Sequence, residues 1–245
     1  MIPIRDSPRP RTWPAVNVLL IVVNVLVFLF ELQLGRQLDG FIEVFGFIPR
    51  RFFGWEQLGG SALDPWRYVP LLTANFLHGG WLHIIGNMWF LGIFGDNVED
   101  RLGHGRYLLF YLLCGACSML IQGMVFPGSR VPAVGASGAI AGVLGAYLLL
   151  YPHARVLTLI PIIIIPWFVE LPAVVFLGVW FLVQLLNGSA GRLSPTAGQA
   201  AGVAWWAHAG GFLVGMALCL ILRGGGERYE QRGWTTRPRR SLWSP

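Results

Sequence analysis

Residues 131–151 read VPAVGASGAIAGVLGAYLLLY, an apolar run of membrane-spanning length with one short hydroxyl side chain, Ser137, near its start. Gly135, Gly138, Gly142 and Gly145 recur at spacings of three and four, so one face of a helix built from this run carries no side chains. Between lipid-facing helices there is no hydrophobic drive to associate, and such small-residue faces are what let two backbones approach closely. The stretch predicts a transmembrane helix packed tightly on another, with a hydroxyl near the contact.

Working outward, five further runs have the same character: Val16–Phe30, Trp81–Gly95, Tyr107–Val125, Pro172–Leu186 and Val203–Leu222. The chain is 55% hydrophobic and 12% charged with a mean hydropathy of +0.59, whereas a soluble domain carries about twice that charged fraction. The pattern predicts an all-α polytopic membrane protein, a bundle of six transmembrane helices spanning residues 15–222. A Pro- and Arg-rich N-terminal tail (1–14) is expected to be poorly ordered and cytoplasmic, and a basic cytoplasmic tail (223–245) follows the bundle. The first run is too long for a secretory h-region and no A-x-A-like site follows it, so it is expected to stay in the mature protein. Between Gly35 and Leu72 aromatic and aliphatic residues alternate with charged ones, as suits the bilayer interface. Val156–Val169 is apolar but interrupted by Pro161 and Pro166, and is expected to be a partly immersed connector. No internal repeat is visible, and one domain accounts for the chain.

The 18 basic residues are all Arg and the net charge is +6, but their placement speaks against nucleic acid as a partner. With the N-terminus inside, Arg5, Arg9, Arg11, Arg101, Arg106, Arg155 and the arginines from Arg223 to Arg240 face the cytoplasm. The opposite side holds only Arg36, Arg50, Arg51, Arg67, Arg130 and Arg192. The positive-inside rule then places both termini in the cytoplasm, with the basic tail facing anionic headgroups. A bacterial inner membrane is the expected location. Cys114 and Cys117 form a C-x-x-C inside an apolar run with no second ligand pair, and Cys219 stands alone. All three are read as plain lipid-facing or packing residues, Cys219 as lipid-facing, and neither metal nor cofactor is expected.

Polar groups within membrane helices are costly and point to function. The second helix carries His78, His83 and Asn87, the fourth Ser137, and the sixth His208 within Ala207-His208-Ala209-Gly210-Gly211. By parity these three helices all begin at the outer face. Counted from there, Ser137 and His208 each lie roughly five residues in, on the order of 8 Å deep. Ala207, Gly211 and Gly215 give the sixth helix its own small face to set against that of the fourth. A Ser and a His at one depth on closely packed helices can form a nucleophile–base pair. The nearest acid to His208 in its own segment is Glu227, well past the helix, so the pair reads as a dyad and not a triad. His83 and Asn87, four apart, stack on one face as two donors of an oxyanion hole. His78 falls on another face and reads as structural, while His104 and His153 lie at cytoplasmic ends where no chemistry is expected.

These residues resemble the rhomboid family of intramembrane serine proteases. The resemblance rests on Gly135-Ala136-Ser137-Gly138, His83-Ile84-Ile85-Gly86-Asn87 and Ala207-His208-Ala209-Gly210-Gly211, with Trp66-Arg67 and Glu99-Asp100-Arg101-Leu102-Gly103 as further landmarks. It covers nearly the whole chain from the first helix to Leu222. It implies a six-helix bundle open to the outside, with Ser137 attacking a peptide carbonyl. His208 would act as base and then acid, and His83, Asn87 and the Ser137 backbone N–H would serve as oxyanion donors. Trp66 and Arg67 would brace the first loop. The implied substrates are single-span membrane proteins, cut near the non-cytoplasmic face beside small, helix-weakening residues. Some members carry an aromatic residue where this chain has Ala141, which leaves open what orients His208. A catalytically inactive relative that binds and escorts membrane proteins is the alternative, although inactive members typically lack the Ser or His present here. A transporter would need polar residues continuing into the cytoplasmic halves of these helices, and none do. There is no H-E-x-x-H for a metalloprotease, and Asp96 lacks the second membrane Asp of an aspartyl enzyme.

Overall fold

The computed structural model describes residues 1–162, 165–193 and 204–223. Six long helices make the body: α1 (Ala15–Gln33), α2 (Trp81–Leu102), α3 (His104–Val125), α4 (Ser137–Leu150), α5 (Ala173–Leu193) and α6 (Trp205–Leu222). Four of them, α1, α3, α5 and α6, are long and apolar enough to cross a bilayer by themselves. The helix α2 is as long as α3 but ends in Asp96, Glu99, Asp100 and Arg101. Those acids anchor the chain that precedes the bundle. The Glu99 carboxylate accepts the Val16 and Asn17 N–H groups at 2.9 and 2.7 Å, capping the first turn of α1, and also pairs with His104. Asp100 accepts from the Arg11 and Thr12 amides and the Thr12 hydroxyl.

At 14 residues α4 is the shortest of the six, and its surroundings explain why it tolerates that length. Every residue from Gly138 to Tyr147 is buried, so the helix is wrapped by its neighbours and never has to match the bilayer itself. Its closest neighbour is α6. A Cβ built on Gly211 would lie 2.2 Å from the Gly138 carbonyl oxygen, and one on Gly215 would lie 2.1 Å from that of Gly142. From the other side, a Cβ on Gly145 would meet the Phe212 carbonyl at 2.1 Å. Gly138 and Gly142 also accept side chains from α3, where a Cβ would strike Ser118 Oγ and Cys114 Sγ. These contacts admit only hydrogen at the glycine positions. Cys219 is fully buried, not lipid-facing, because it lies on the inward face of α6 one turn beyond Gly215.

Three further sequence expectations need correction. The connector Val156–Val169 is not interrupted at its prolines: β2 (Arg155–Ile162) and β3 (Ile165–Pro172) form an antiparallel hairpin. The N-terminal tail is ordered, since β1 (Ile2–Asp6) adds to the hairpin in the order β1-β2-β3. The mostly helical protein therefore carries one small sheet. Side chains hold β1 down as well as backbone pairing. Asp6 accepts from the Tyr147 hydroxyl at 2.6 Å and from the Asn97 amide at 2.9 Å, and the Trp89 indole donates to the Pro3 carbonyl. The third correction is that Gly135 is not part of the α4 packing face. It sits in the turn before the helix at φ +127°. The basic tail expected beyond Arg223 lies outside the described residues.

The segment between α1 and α2 folds into short helices, Leu38–Phe45, Pro49–Phe53 and Val69–Thr73. Arg67 braces this loop by donating from Nε to the Phe52 carbonyl at 3.2 Å, with its guanidinium over the Phe52 and Tyr68 rings. Trp66 is 62% exposed. Its backbone N–H is held by the Asp64 carboxylate.

Candidate active site

Ser137 is the first residue of α4, not several residues deep in it as expected. The turn ahead of it sets this start. Gly135 takes a backbone conformation open to glycine, and its N–H donates to the Ala74 carbonyl at 2.8 Å. Space demands glycine there as well. A Cβ on Gly135 would lie 2.6 Å from Cε1 and Nε2 of His83 and 3.6 Å from the Ser137 hydroxyl. As the first helical residue, Ser137 has a backbone N–H with no intrahelical acceptor, at the positive end of the helix dipole.

His208 lies in the first turn of α6, and its Nε2 is 2.8 Å from Ser137 Oγ. The glycine contacts between α4 and α6 bring a short Ser side chain within reach of an imidazole on another helix. The opposite ring nitrogen, Nδ1, is 2.8 Å from Oε1 of Gln184 on α5. An amide oxygen can only accept, so Nδ1 carries the proton and Nε2 presents its lone pair to the serine O–H. Two indoles flank the ring, Trp180 and Trp205, each with its centroid 6.1 Å away. Ala141 is buried in the α4–α6 contact, 3.4 Å from where a Gly211 Cβ would stand. The aromatic neighbours of His208 thus come from α5 and α6 in place of α4.

The α2 residues are held just as specifically. The Gly79 N–H donates to His83 Nδ1 at 3.3 Å, which leaves the ring proton on Nε2, the edge lying against Gly135. Asn87 Nδ2 is 3.0 Å from His78 Nε2, and His78 Nδ1 is 3.3 Å from the Phe76 carbonyl. The carbonyl requires a proton on His78 Nδ1, so Nε2 accepts one Asn87 amide hydrogen and the second stays available. Glu31 on α1 accepts the His78 backbone N–H at 3.2 Å. His78 precedes α2 and so escapes the helix-face count that separated it from Asn87.

The structure thus gathers Ser137, His208, His83 and Gly135 at one place, with Asn87 one turn from His83 on the same helix. Gly138, Gly142, Gly211 and Gly215 lie in the helix contact that supports it, while Trp66 and Arg67 lie in the first loop, away from it. Gln184 was missed, while His78, read as structural, holds the Asn87 amide. Gln184 did leave a signal, as it is the one amide or charged side chain between Ala173 and Leu186. Among the described residues no group of His, Cys, Asp and Glu side chains could hold a metal. Chemically, a serine hydroxyl hydrogen-bonded to a tautomer-defined imidazole, beside donors at a helix N-terminus, can attack a carbonyl and stabilise the resulting oxyanion.

Comparison with known proteins gives the same lineage. The sequence model of the rhomboid domain matches residues 64–225. Rhomboid-like protein 11, chloroplastic, of Arabidopsis thaliana is 33% identical over 124 residues, 49% of this chain and 39% of its own length. Rhomboid protease GluP of Bacillus subtilis is 33% identical over 136 residues, 55% of this chain and 24% of its own. The human presenilin-associated rhomboid-like protein, mitochondrial, is 34% identical over 101 residues, 40% of this chain and 26% of its own. The chain spans less than half the length of these curated relatives. The match begins at the first loop and runs through α6, taking in every residue of the site, and the chain belongs to the rhomboid family.

Proposed function

We propose that this integral membrane protein is a serine-type intramembrane endopeptidase that cleaves single-span membrane proteins near the non-cytoplasmic face. The observation that carries the reading is the 2.8 Å contact between Ser137 Oγ and His208 Nε2. In the proposed reaction His208 takes the hydroxyl proton as Ser137 attacks the scissile carbonyl. The charge developing on that oxygen is met by the Ser137 N–H, His83 Nε2–H and Asn87. The imidazolium then protonates the leaving amine, and a water deprotonated by His208 releases the acyl group. No cofactor is needed. A segment that unwinds easily suits the site, because a peptide bond in an intact helix is closed to a nucleophile. In this reading both termini are cytoplasmic and the membrane is a bacterial inner membrane; the arginine distribution supports the orientation, which puts Ser137 toward the outer face.

The test is cleavage of a single-span substrate with a helix-weakening segment by the purified protein in detergent. The wild type should cut it at one position and Ser137→Ala should leave it intact. Binding without cleavage by folded wild type would overturn the protease reading in favour of an escort.

A further inference from the structure

We propose that Gln184 is the positioning residue of His208, an uncharged third member that turns the dyad into a Ser137–His208–Gln184 relay. The proposal rests on the serine-protease reading of the site and adds a residue on a third helix to it. Gln184 is 5% exposed in an otherwise apolar stretch of α5, a place where an amide is costly unless both its ends are used. Both are. Its Nε2–H donates to the Trp180 carbonyl one turn back at 3.1 Å, and Oε1 faces His208 Nδ1 at 2.8 Å.

The direction of the amide is fixed by this pairing. Turned over, Oε1 would face the Trp180 carbonyl oxygen, acceptor against acceptor, and the amide hydrogens would crowd a protonated Nδ1. The Trp180 carbonyl therefore sets the amide, the amide sets the imidazole tautomer, and the tautomer aims the Nε2 lone pair at Ser137. When His208 accepts the serine proton both ring nitrogens become donors, and Oε1 remains in place for Nδ1–H as positive charge develops. The indole of Trp180 lies beside the same ring and stacks on Phe212, which limits rotation of the imidazole away from this line.

A carboxylate in the same place would do more than position the ring, and that difference makes the idea testable. The titratable side chain acting on His208 from α2 is His83. α4 contributes the Ser137 hydroxyl and α5 the neutral Gln184, and among the described residues no carboxylate faces the ring. Gln184→Glu would introduce one at nearly constant shape, at the cost of the hydrogen bond to the Trp180 carbonyl, which its second oxygen cannot make. It would favour the imidazolium and move the acid limb of the rate profile to higher pH. Gln184→Leu keeps bulk and removes the acceptor. Gln184→Asn is one methylene short of the ring.

The experiment combines kinetics with 15N-histidine NMR in detergent, using the wild type and these variants, with His208→Ala to assign the signal among the five histidines. In the wild type His208 should be protonated at Nδ1 only. Gln184→Leu and Gln184→Asn should mix the tautomers and lower kcat and fluorophosphonate labelling of Ser137 about 10- to 100-fold. KM and unfolding temperature should stay near wild type. Gln184→Glu should restore the Nδ1 proton and raise the rate above that of Gln184→Leu, with its acid limb displaced upward from wild type. A His208 tautomer that does not change in Gln184→Leu, or a Gln184→Glu profile identical to wild type, would overturn the proposal. The tautomer is read without cleavage. An inactive wild type with a Gln184-dependent tautomer would remove the protease reading and leave the positioning role standing.

Discussion

Each ring of the site has its protons assigned by a neighbour that does not itself react: the Gln184 amide for His208, the Gly79 N–H for His83, the Phe76 carbonyl for His78. This matters at the residue scale because a donor stabilises an oxyanion only if its hydrogen already points there. Asn87 is the clearest case, since His78 takes one amide hydrogen and leaves the other free. Asn87→Ala should lower kcat on the order of 10²–10³ with little effect on KM. The loss should be nearer tenfold if His83 and the Ser137 N–H compensate, and steady-state kinetics at saturating substrate reads it directly. An unchanged kcat would remove Asn87 from the mechanism. Ser137, His208, His83 and Asn87 were legible in the sequence because each is polar within an apolar run. Gln184 is also polar within such a run, but it lies on an odd-numbered helix entering from the other face. Its depth cannot be counted from the same side, and so it was passed over.

At the scale of elements, the glycine spacing of α4 and α6 was legible because small residues at intervals of three and four can serve few ends in a membrane other than close approach. Gly211 against the Gly138 carbonyl is the contact of this face nearest in sequence to Ser137 and His208. Gly211→Leu places a side chain where a Cβ alone would stand 2.2 Å from that oxygen. The strain is about 1–3 kcal/mol if the helices stay put. If they part, a shift of ~1 Å between Ser137 and His208 costs around a hundredfold in rate. Cleavage should fall at least that far, whereas Ala217→Leu, at an exposed position of α6, should be near neutral in both activity and detergent unfolding temperature. Full activity in Gly211→Leu would mean that this contact does not set the distance between Ser137 and His208. The hairpin β2–β3 was not legible from the same kind of pattern. Apart from Arg155, Thr158 and Glu170 its residues are apolar on both sides, so no period of two marks the strands, and Pro161 and Pro166, which face each other across it, read as interruptions.

On the scale of the whole molecule, the N-terminal segment is an integral part of the fold. Its prolines and arginines resemble a loose tail in composition, and what orders it is distant in sequence: Asn97, Asp100, Tyr147 and the edge of β2. Burial raises the Asp6 carboxyl to about 7 from an ordinary 3.8, against the lowering effect of the Tyr147 hydrogen bond. The folded state therefore holds a proton that the unfolded chain releases near 3.8. The stabilisation is full below that pH and is lost as pH rises through about 7. Asp6→Asn should flatten this dependence. The unfolding temperature in detergent should fall from pH 5 to pH 8 in the wild type and much less in the variant. Equal slopes would show that Asp6 does not titrate with folding.

Activation of Ser137 by His208 within the six-helix assembly is read out by covalent labelling. Purified wild type, Ser137→Ala and His208→Ala are treated with a fluorophosphonate probe, and the adduct is located by mass spectrometry of the digested protein. A single adduct on Ser137 is expected in the wild type and none in either variant, with all three equally folded, because a serine hydroxyl without its base is a poor nucleophile. Labelling of Ser137 at the wild-type rate in His208→Ala would rule that activation out.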